Sequence, residues 1–395
     1  MDDSAKIDYV SDIASYVDTE LCRKTWLNYS LLGGDFGAIC FLYYYSKVDP
    51  KYGAVADRYL DKMLSGITRR PFVYTYCNGI AGLGIGLQLL EHDGFLEGVS
   101  TSLDEYDRYL CGLLPGILNL KSIDFLHGVI GVGLYFVSRD RHNPELSLQC
   151  IDRIVGFLYS SSKKKGNTIY WELEEDDYYK RFNISLSHGA SSILIFLSRV
   201  NSLDLKIENK QYIRPLIDGI INYILEQKMD EEKVGSFFPS FPRESGLPST
   251  KSRLAWCYGD LGIAIALKEA AKSINDPGLY GFGVEVLKFS AAKRRDVKAN
   301  SIHDAGLCHG AMGVSQIFKR SYEETRDNVF KQASEYWREV ALSFAKPEDG
   351  KMIFKSYNNQ TDKWENSINI LEGNAGIGLC LIGADSFINK ILLLS

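Results

Sequence analysis

The sequence predicts an all-α protein built as an α/α toroid, seven inner helices surrounded by seven outer ones. Three observations predict it. A glycine motif followed by an apolar run recurs seven times along the 395 residues. Each of those runs is apolar on nearly every side, as a helix buried all round must be. Ahead of most of them lies an amphipathic segment with the 3.6-residue period of a half-buried helix. Repeats outrank length as a guide to domain number, so residues 1–395 read as a single domain although the length alone would suggest two or three.

The motif reads GGDFGAICFLYYY from Gly33, NGIAGLGIGLQLL from Asn78, HGVIGVGLYFV from His127 and HGASSILIFL from His188, where Ser192 stands in for the second glycine. It continues as YGDLGIAIAL from Tyr258, HGAMGVSQIF from His309 and EGNAGIGLCLIG from Glu372. The first glycines fall at 34, 79, 128, 189, 259, 310 and 373, in steps of 45 to 70 residues, too irregular for an open solenoid. Three outer segments are clear. Leu103, Tyr106, Leu110, Leu113, Leu114 and Ile117 share one helical face. So do Ile213, Leu216, Ile217, Ile220, Ile221 and Ile224, and again Val329, Phe330, Ala333, Trp337, Val340, Ala341 and Phe344. Two insertions interrupt the repeats. Residues 161–183 carry a mixed charge run with aromatics, and 235–252 are rich in Pro, Ser and Gly. Both read as solvated loops, with a peptide-holding role at the mouth of the ring as the alternative.

Composition narrows the function. A net charge of -5 leaves no electrostatic footprint for nucleic acid. The opening MDDSAKIDYVSD has neither the basic nor the apolar region of a secretory signal, and no apolar run approaches a membrane span. A cytoplasmic protein is expected. The eight cysteines form no C-x-x-C pair, so most should be small buried hydrophobes rather than a disulfide framework.

The repeat register singles out the exceptions. The residue before each first glycine is Gly33, Asn78, His127, His188, Tyr258, His309 or Glu372, and the one before that is Leu32, Cys77, Leu126, Ser187, Cys257, Cys308 or Leu371. Three of the six histidines and three of the eight cysteines occupy these fourteen positions, all at one end of the inner helices. Cys257 and Cys308 belong to consecutive repeats, whereas Cys77 lies three repeats from Cys257. Two thiolates and the imidazole of His309 are soft ligands that suit zinc. Three protein ligands leave the fourth tetrahedral position open, the mark of a catalytic site.

AWCYGD, LCHG and the seven glycine repeats resemble the lanthionine synthetase C-like (LanC) cyclase family, from Gly33 to Gly378. The resemblance implies a double α/α barrel of seven inner and seven outer helices with Zn²⁺ at its mouth, held by Cys257, Cys308 and His309. It implies that His188, in SHG, and Asp124, in IDFLHG, are the acid/base pair, and that Arg253, in RLAWC, stands near the metal. Leu261 occupies a position where many members carry Pro, and Ser192 one where they carry Gly.

The implied activity is zinc-dependent cyclisation, in which a peptide Cys thiol adds to dehydroalanine or dehydrobutyrine in the same precursor peptide. A separate dehydratase would prepare that substrate, and a transporter is a further expected partner if the enzyme sits on a membrane-bound complex. Two other readings keep the metal. One adds a small thiol such as glutathione to dehydroamino acids, and the other is a peptide-binding scaffold without turnover.

Overall fold

The computed structural model describes residues 3–67, 73–172, 182–203, 205–358 and 361–394, with side chains from Tyr9 onward. In chain order the helices are α1 (Asp3–Arg23), α2 (Asp35–Tyr45), α3 (Lys51–Ile67), α4 (Ile80–His92), α5 (Val99–Ser102), α6 (Asp104–Asn119), α7 (Val129–Arg139) and α8 (Pro144–Ser161). There follow α9 (Ala190–Ser202), α10 (Lys210–Glu226), α11 (Glu231–Val234), α12 (Asp260–Ile274), α13 (Pro277–Lys293), α14 (Ala311–Thr325), α15 (Asn328–Ser343), α16 (Asn374–Leu381) and α17 (Asp385–Ile391). The fold is all-α. Seven helices among the described residues (α2, α4, α7, α9, α12, α14 and α16) begin directly after the first glycines of the seven motifs.

The inner helices are buried as their sequences require, and all eleven residues of α2 are buried. The outer helices bury one stripe: Ile213, Leu216, Ile217, Ile220, Ile221 and Ile224 on α10, and Phe330, Ala333, Trp337, Ala341 and Leu342 on α15. Four inner helices pack most closely on the outer helix that follows, α2 on α3, α7 on α8, α12 on α13 and α14 on α15, whereas α9 packs most on α12 and α16 on α1. The sequence pairs most inner helices with the segment before them, so in these four the packed hairpin is the reverse of the expected one. Short connections favour this, because only two residues separate α12 from α13 and α14 from α15 and send the chain straight back.

The chain forms two compact units, Met1–Val99 with Val297–Ser395, and Ser100–Asp296. In the first, backbone hydrogen bonds link the turns ahead of the inner helices. Leu307 and Cys308 donate to the Leu371 carbonyl at 2.7 and 2.8 Å, Ile370 and Leu371 to that of Leu32 at 3.2 Å, and Leu32 to that of Cys77 at 3.2 Å. The last repeat is thereby joined to the first. In the second unit Leu186 and Ser187 donate to the Cys257 carbonyl in the same way, at 3.1 and 3.4 Å.

The second glycine of the motif lets each turn fold onto its own helix. A Cβ on Gly313 would lie 1.9 Å from the Leu307 carbonyl oxygen, and one on Gly262 would lie 2.6 Å from that of Trp256. Ser192 is accommodated at this position because it is fully buried and its hydroxyl donates to the Gly189 carbonyl at 2.9 Å.

Six short strands make three antiparallel hairpins: β1 (Lys163–Lys165) with β2 (Thr168–Tyr170), β3 (Lys346–Glu348) with β4 (Lys351–Ile353), and β5 (Lys355–Asn358) with β6 (Lys363–Asn366). The first lies in the 161–183 insertion, of which 173–181 fall outside the described residues. It is not wholly solvated, since Ile169 and Trp171 are buried and the indole donates to the Leu158 carbonyl at 3.2 Å. Residues 235–252 are irregular apart from one tight helical turn at Arg243–Ser245. No helix among the described residues is long and apolar enough to cross a membrane.

Candidate metal centre

In the second unit Cys257 is buried on the turn that leads into α12. Gly259 follows with φ +85°, and a Cβ there would meet Ser252 Oγ at 2.6 Å and the Arg253 carbonyl at 2.7 Å. Only glycine fits both the backbone and the space. Asp260, fully buried in the first turn of α12, accepts the backbone N–H groups of Phe237 and Phe238 at 3.1 and 2.9 Å and pairs with Arg294 at 3.1 Å. The guanidinium of Arg294 also donates to the Ser252 carbonyl. Burial pushes the Asp260 carboxyl up from its ordinary range, against the opposing pull of Arg294 and the two N–H groups. These bonds fasten the 235–252 loop to the turn carrying Cys257. Sequence reading missed Asp260 and Arg294, although an acid directly after the motif glycine is a visible signal.

His188 sits on the turn whose Leu186 and Ser187 N–H groups bind the Cys257 carbonyl. The Ser187 hydroxyl donates to the same carbonyl at 3.3 Å, so His188 is held in register with Cys257 by three bonds. Its Nδ1 pairs with Asp124 Oδ2, and the two side chains are 32% and 15% exposed, so the pair is reachable yet shielded. The other oxygen, Asp124 Oδ1, accepts the His127 N–H at 2.6 Å. Four residues before a first glycine, this position caps the turn in other repeats too: Ser185 Oγ accepts from His188 N–H at 3.1 Å and Asn369 Oδ1 from Glu372 N–H at 2.8 Å. Serine and asparagine serve for the cap. Aspartate adds a second oxygen, and that oxygen holds a histidine.

The rings of His127 and Tyr258 flank His188, each with its centroid 6.1 Å away, and Phe241 extends the row from Tyr258 at 5.6 Å. Partial desolvation lowers the basicity of His127, opposed by the Asp124 charge. Burial pushes the Tyr258 phenol up to about 12, with the hydrogen bond from Asn183 acting the other way. Arg253 is half-buried four residues before Cys257 on the same turn.

In the first unit Cys308 and His309 are half-buried ahead of α14. Asp304 shapes this turn, its Oδ1 accepting the Gly306 N–H and its Oδ2 that of Tyr357 on β5, both at 2.9 Å. The thiol sulfurs of Cys257 and Cys308 and a ring nitrogen of His309 all lie within 4.8 Å of one another, the three ligand residues expected from the register. Tetrahedral zinc needs sulfurs about 3.8 Å apart, given Zn–S bonds near 2.3 Å. The donor set therefore suits zinc in type, and atoms within 4.8 Å of one another are compatible with that separation. Cys77, in the same register, is buried and is not among these three.

A family model described as lanthionine synthetase C-like protein matches residues 25–386. The chain belongs to that family. Among solved structures, one titled nisin cyclase matches with a TM-score of 0.74 at 18% identity, covering 98% of this chain and 96% of its own. At that identity the likeness shows a shared LanC-like fold, whereas the site rests on the residues of this chain.

Proposed function

We propose that this LanC-like protein is a zinc-dependent cyclase that forms thioether rings in a dehydrated, ribosomally made precursor peptide. The observation that carries the reading is the Cys257–Cys308–His309 cluster, three ligands where tetrahedral zinc takes four. Zinc bound there would supply the Lewis acidity that makes a substrate thiol, with a free pKa near about 8.5, a nucleophile at neutral pH.

The remaining work falls to side chains. The reaction forms one bond from the Cys sulfur to the β-carbon of dehydroalanine or dehydrobutyrine. It breaks the S–H bond and the C=C π bond, and one proton ends on the α-carbon. No atom is gained or lost. His188 is the group suited to move that proton: with Asp124 paired to Nδ1, the tautomer that carries its proton there presents Nε2 as the acceptor. Both Asp124 oxygens are engaged, one by His127 N–H and one by His188, which supports an orienting role for Asp124. Arg253, on the Cys257 turn, is proposed to stabilise the negative charge that develops on the substrate carbonyl. The substrate must arrive with Ser or Thr already dehydrated, so a dehydratase acts first, with a transporter as a further proposed partner. A cytoplasmic site of action follows from that partnership.

Incubation of the zinc-loaded protein with a dehydrated peptide containing one Cys tests the reading. Cyclisation leaves the mass unchanged and removes the alkylatable thiol. Product that forms only when glutathione is added, with the mass rising by one glutathione, would instead establish the small-thiol activity. No reaction in either arm would leave a zinc-containing peptide scaffold.

A further inference from the structure

We infer that Glu372 is the positioning residue for His309: its carboxylate orients the imidazole by accepting a hydrogen bond from the ring nitrogen that does not face the metal. The inference rests on the zinc reading of the Cys257–Cys308–His309 cluster. It comes from the way consecutive repeats are stitched together.

In the second unit, N–H groups of Leu186 and Ser187 bind the carbonyl of Cys257, and the residues just after them, His188 and Tyr258, stand with rings 6.1 Å apart. The same stitch recurs in the first unit. There Leu307 and Cys308 donate to the Leu371 carbonyl at 2.7 and 2.8 Å, and the residues just after are His309 and Glu372. The stitch is shorter here than at Cys257, so the two turns are held at least as close. A Cβ on Gly306 would lie 3.1 Å from the Glu372 Cα, which places the backbones of the two turns in contact. Asn369 Oδ1 accepts both the Glu372 and the Gly373 N–H, at 2.8 and 3.0 Å, so Glu372 leaves from a fixed turn.

Chemistry points the same way. A metal-ligating histidine nearly always gives its second N–H to a carboxylate, carbonyl or water, which fixes its tautomer and raises its basicity. The other acid on this turn, Asp304, has both oxygens committed to the N–H groups of Gly306 and Tyr357. Glu372 is exposed at the minus-one position of the next repeat, directly ahead of Gly373 and α16.

The test compares the full chain with Glu372→Gln and Glu372→Asp after stripping and reloading with zinc, using competition with a chromophoric chelator. Glu372→Gln should weaken zinc binding about 10–100-fold, with the metal-free melting temperature unchanged and Glu372→Asp recovering part of the loss. The absorption bands of the cobalt-substituted protein should shift in Glu372→Gln. Wild-type affinity in Glu372→Gln, while the wild type binds one zinc, overturns the inference and leaves the cyclase reading standing. Weakened binding accompanied by an equal loss of metal-free stability assigns Glu372 to the turn itself and also overturns it. A wild type that binds no zinc overturns both.

Discussion

Replacing Asp124 with Asn separates the two tasks of its carboxylate. The Asn amide oxygen can still accept the His127 N–H that Asp124 Oδ1 takes at 2.6 Å, so the turn before α7 keeps its cap. The amide nitrogen then faces His188 Nδ1, where Oδ2 stood. A donor in that place demands an unprotonated Nδ1, which moves the imidazole proton to Nε2 and removes the acceptor the reaction needs. The expected loss is that of a general acid/base in its wrong tautomer, about 10²–10⁴-fold in rate, or about 2.7–5.5 kcal/mol of barrier. Stability should change by no more than about 1 kcal/mol, the net value of one hydrogen bond. Asp124→Ala removes both tasks, so it should lose the same activity and a further about 1–3 kcal/mol of stability for the uncapped N–H. Cyclisation rate and thermal melting, read on both variants, check the two halves. A wild-type rate in Asp124→Asn would refute the assignment of His188 and Asp124, whereas equal melting of Asn and Ala variants would refute the capping role.

Further outcomes follow from the packing. Gly313→Ala puts a Cβ 1.9 Å from the Leu307 carbonyl, in the turn before Cys308, and should destabilise by several times the roughly 1 kcal/mol of an ordinary core change. Gly112→Ala, on the exposed face of α6 with nothing within 4 Å, should stabilise by about 0.5–1 kcal/mol; denaturant melts of the pair decide whether close approach or helix propensity governs these glycines. Arg294→Met strands the buried Asp260 carboxylate and should cost about 3–5 kcal/mol. Limited proteolysis of that variant should cut first within 235–252, and an unchanged cleavage pattern would mean that Asp260 does not hold the loop.

The inner helices were legible because their glycines answer a local need: a turn folded back onto the next helix leaves no room for a Cβ at Gly262 or Gly313. The outer stripes on α10 and α15 were legible from their period alone. The hairpin partner was not, because it depends on the short connection after α12 or α14 rather than on any pattern within a helix. The strands β3 to β6 were invisible for a different reason. Their sequences, such as KPE and KWEN, carry charges and little alternation, and β6 is exposed along its length. Register also marked His188, Cys257, Cys308 and His309, since one structural position repeats along the chain. Register did not mark Asp124, which only the family resemblance named, because a capping aspartate looks the same whether or not its second oxygen finds a histidine 64 residues away. The burial of Phe237 and Phe238 in a Pro- and Ser-rich stretch likewise depends on Asp260, an acid 22 to 23 residues further on.

The central claim is that Cys257, Cys308 and His309 hold one zinc that the reaction requires. Elemental mass spectrometry of the purified chain beside Cys308→Ala tests it most directly. About one zinc per wild-type chain, absent from Cys308→Ala together with cyclisation, is the predicted result. A folded wild type that carries no zinc and cannot be reconstituted, or a Cys308→Ala variant that keeps its full metal content, would contradict it.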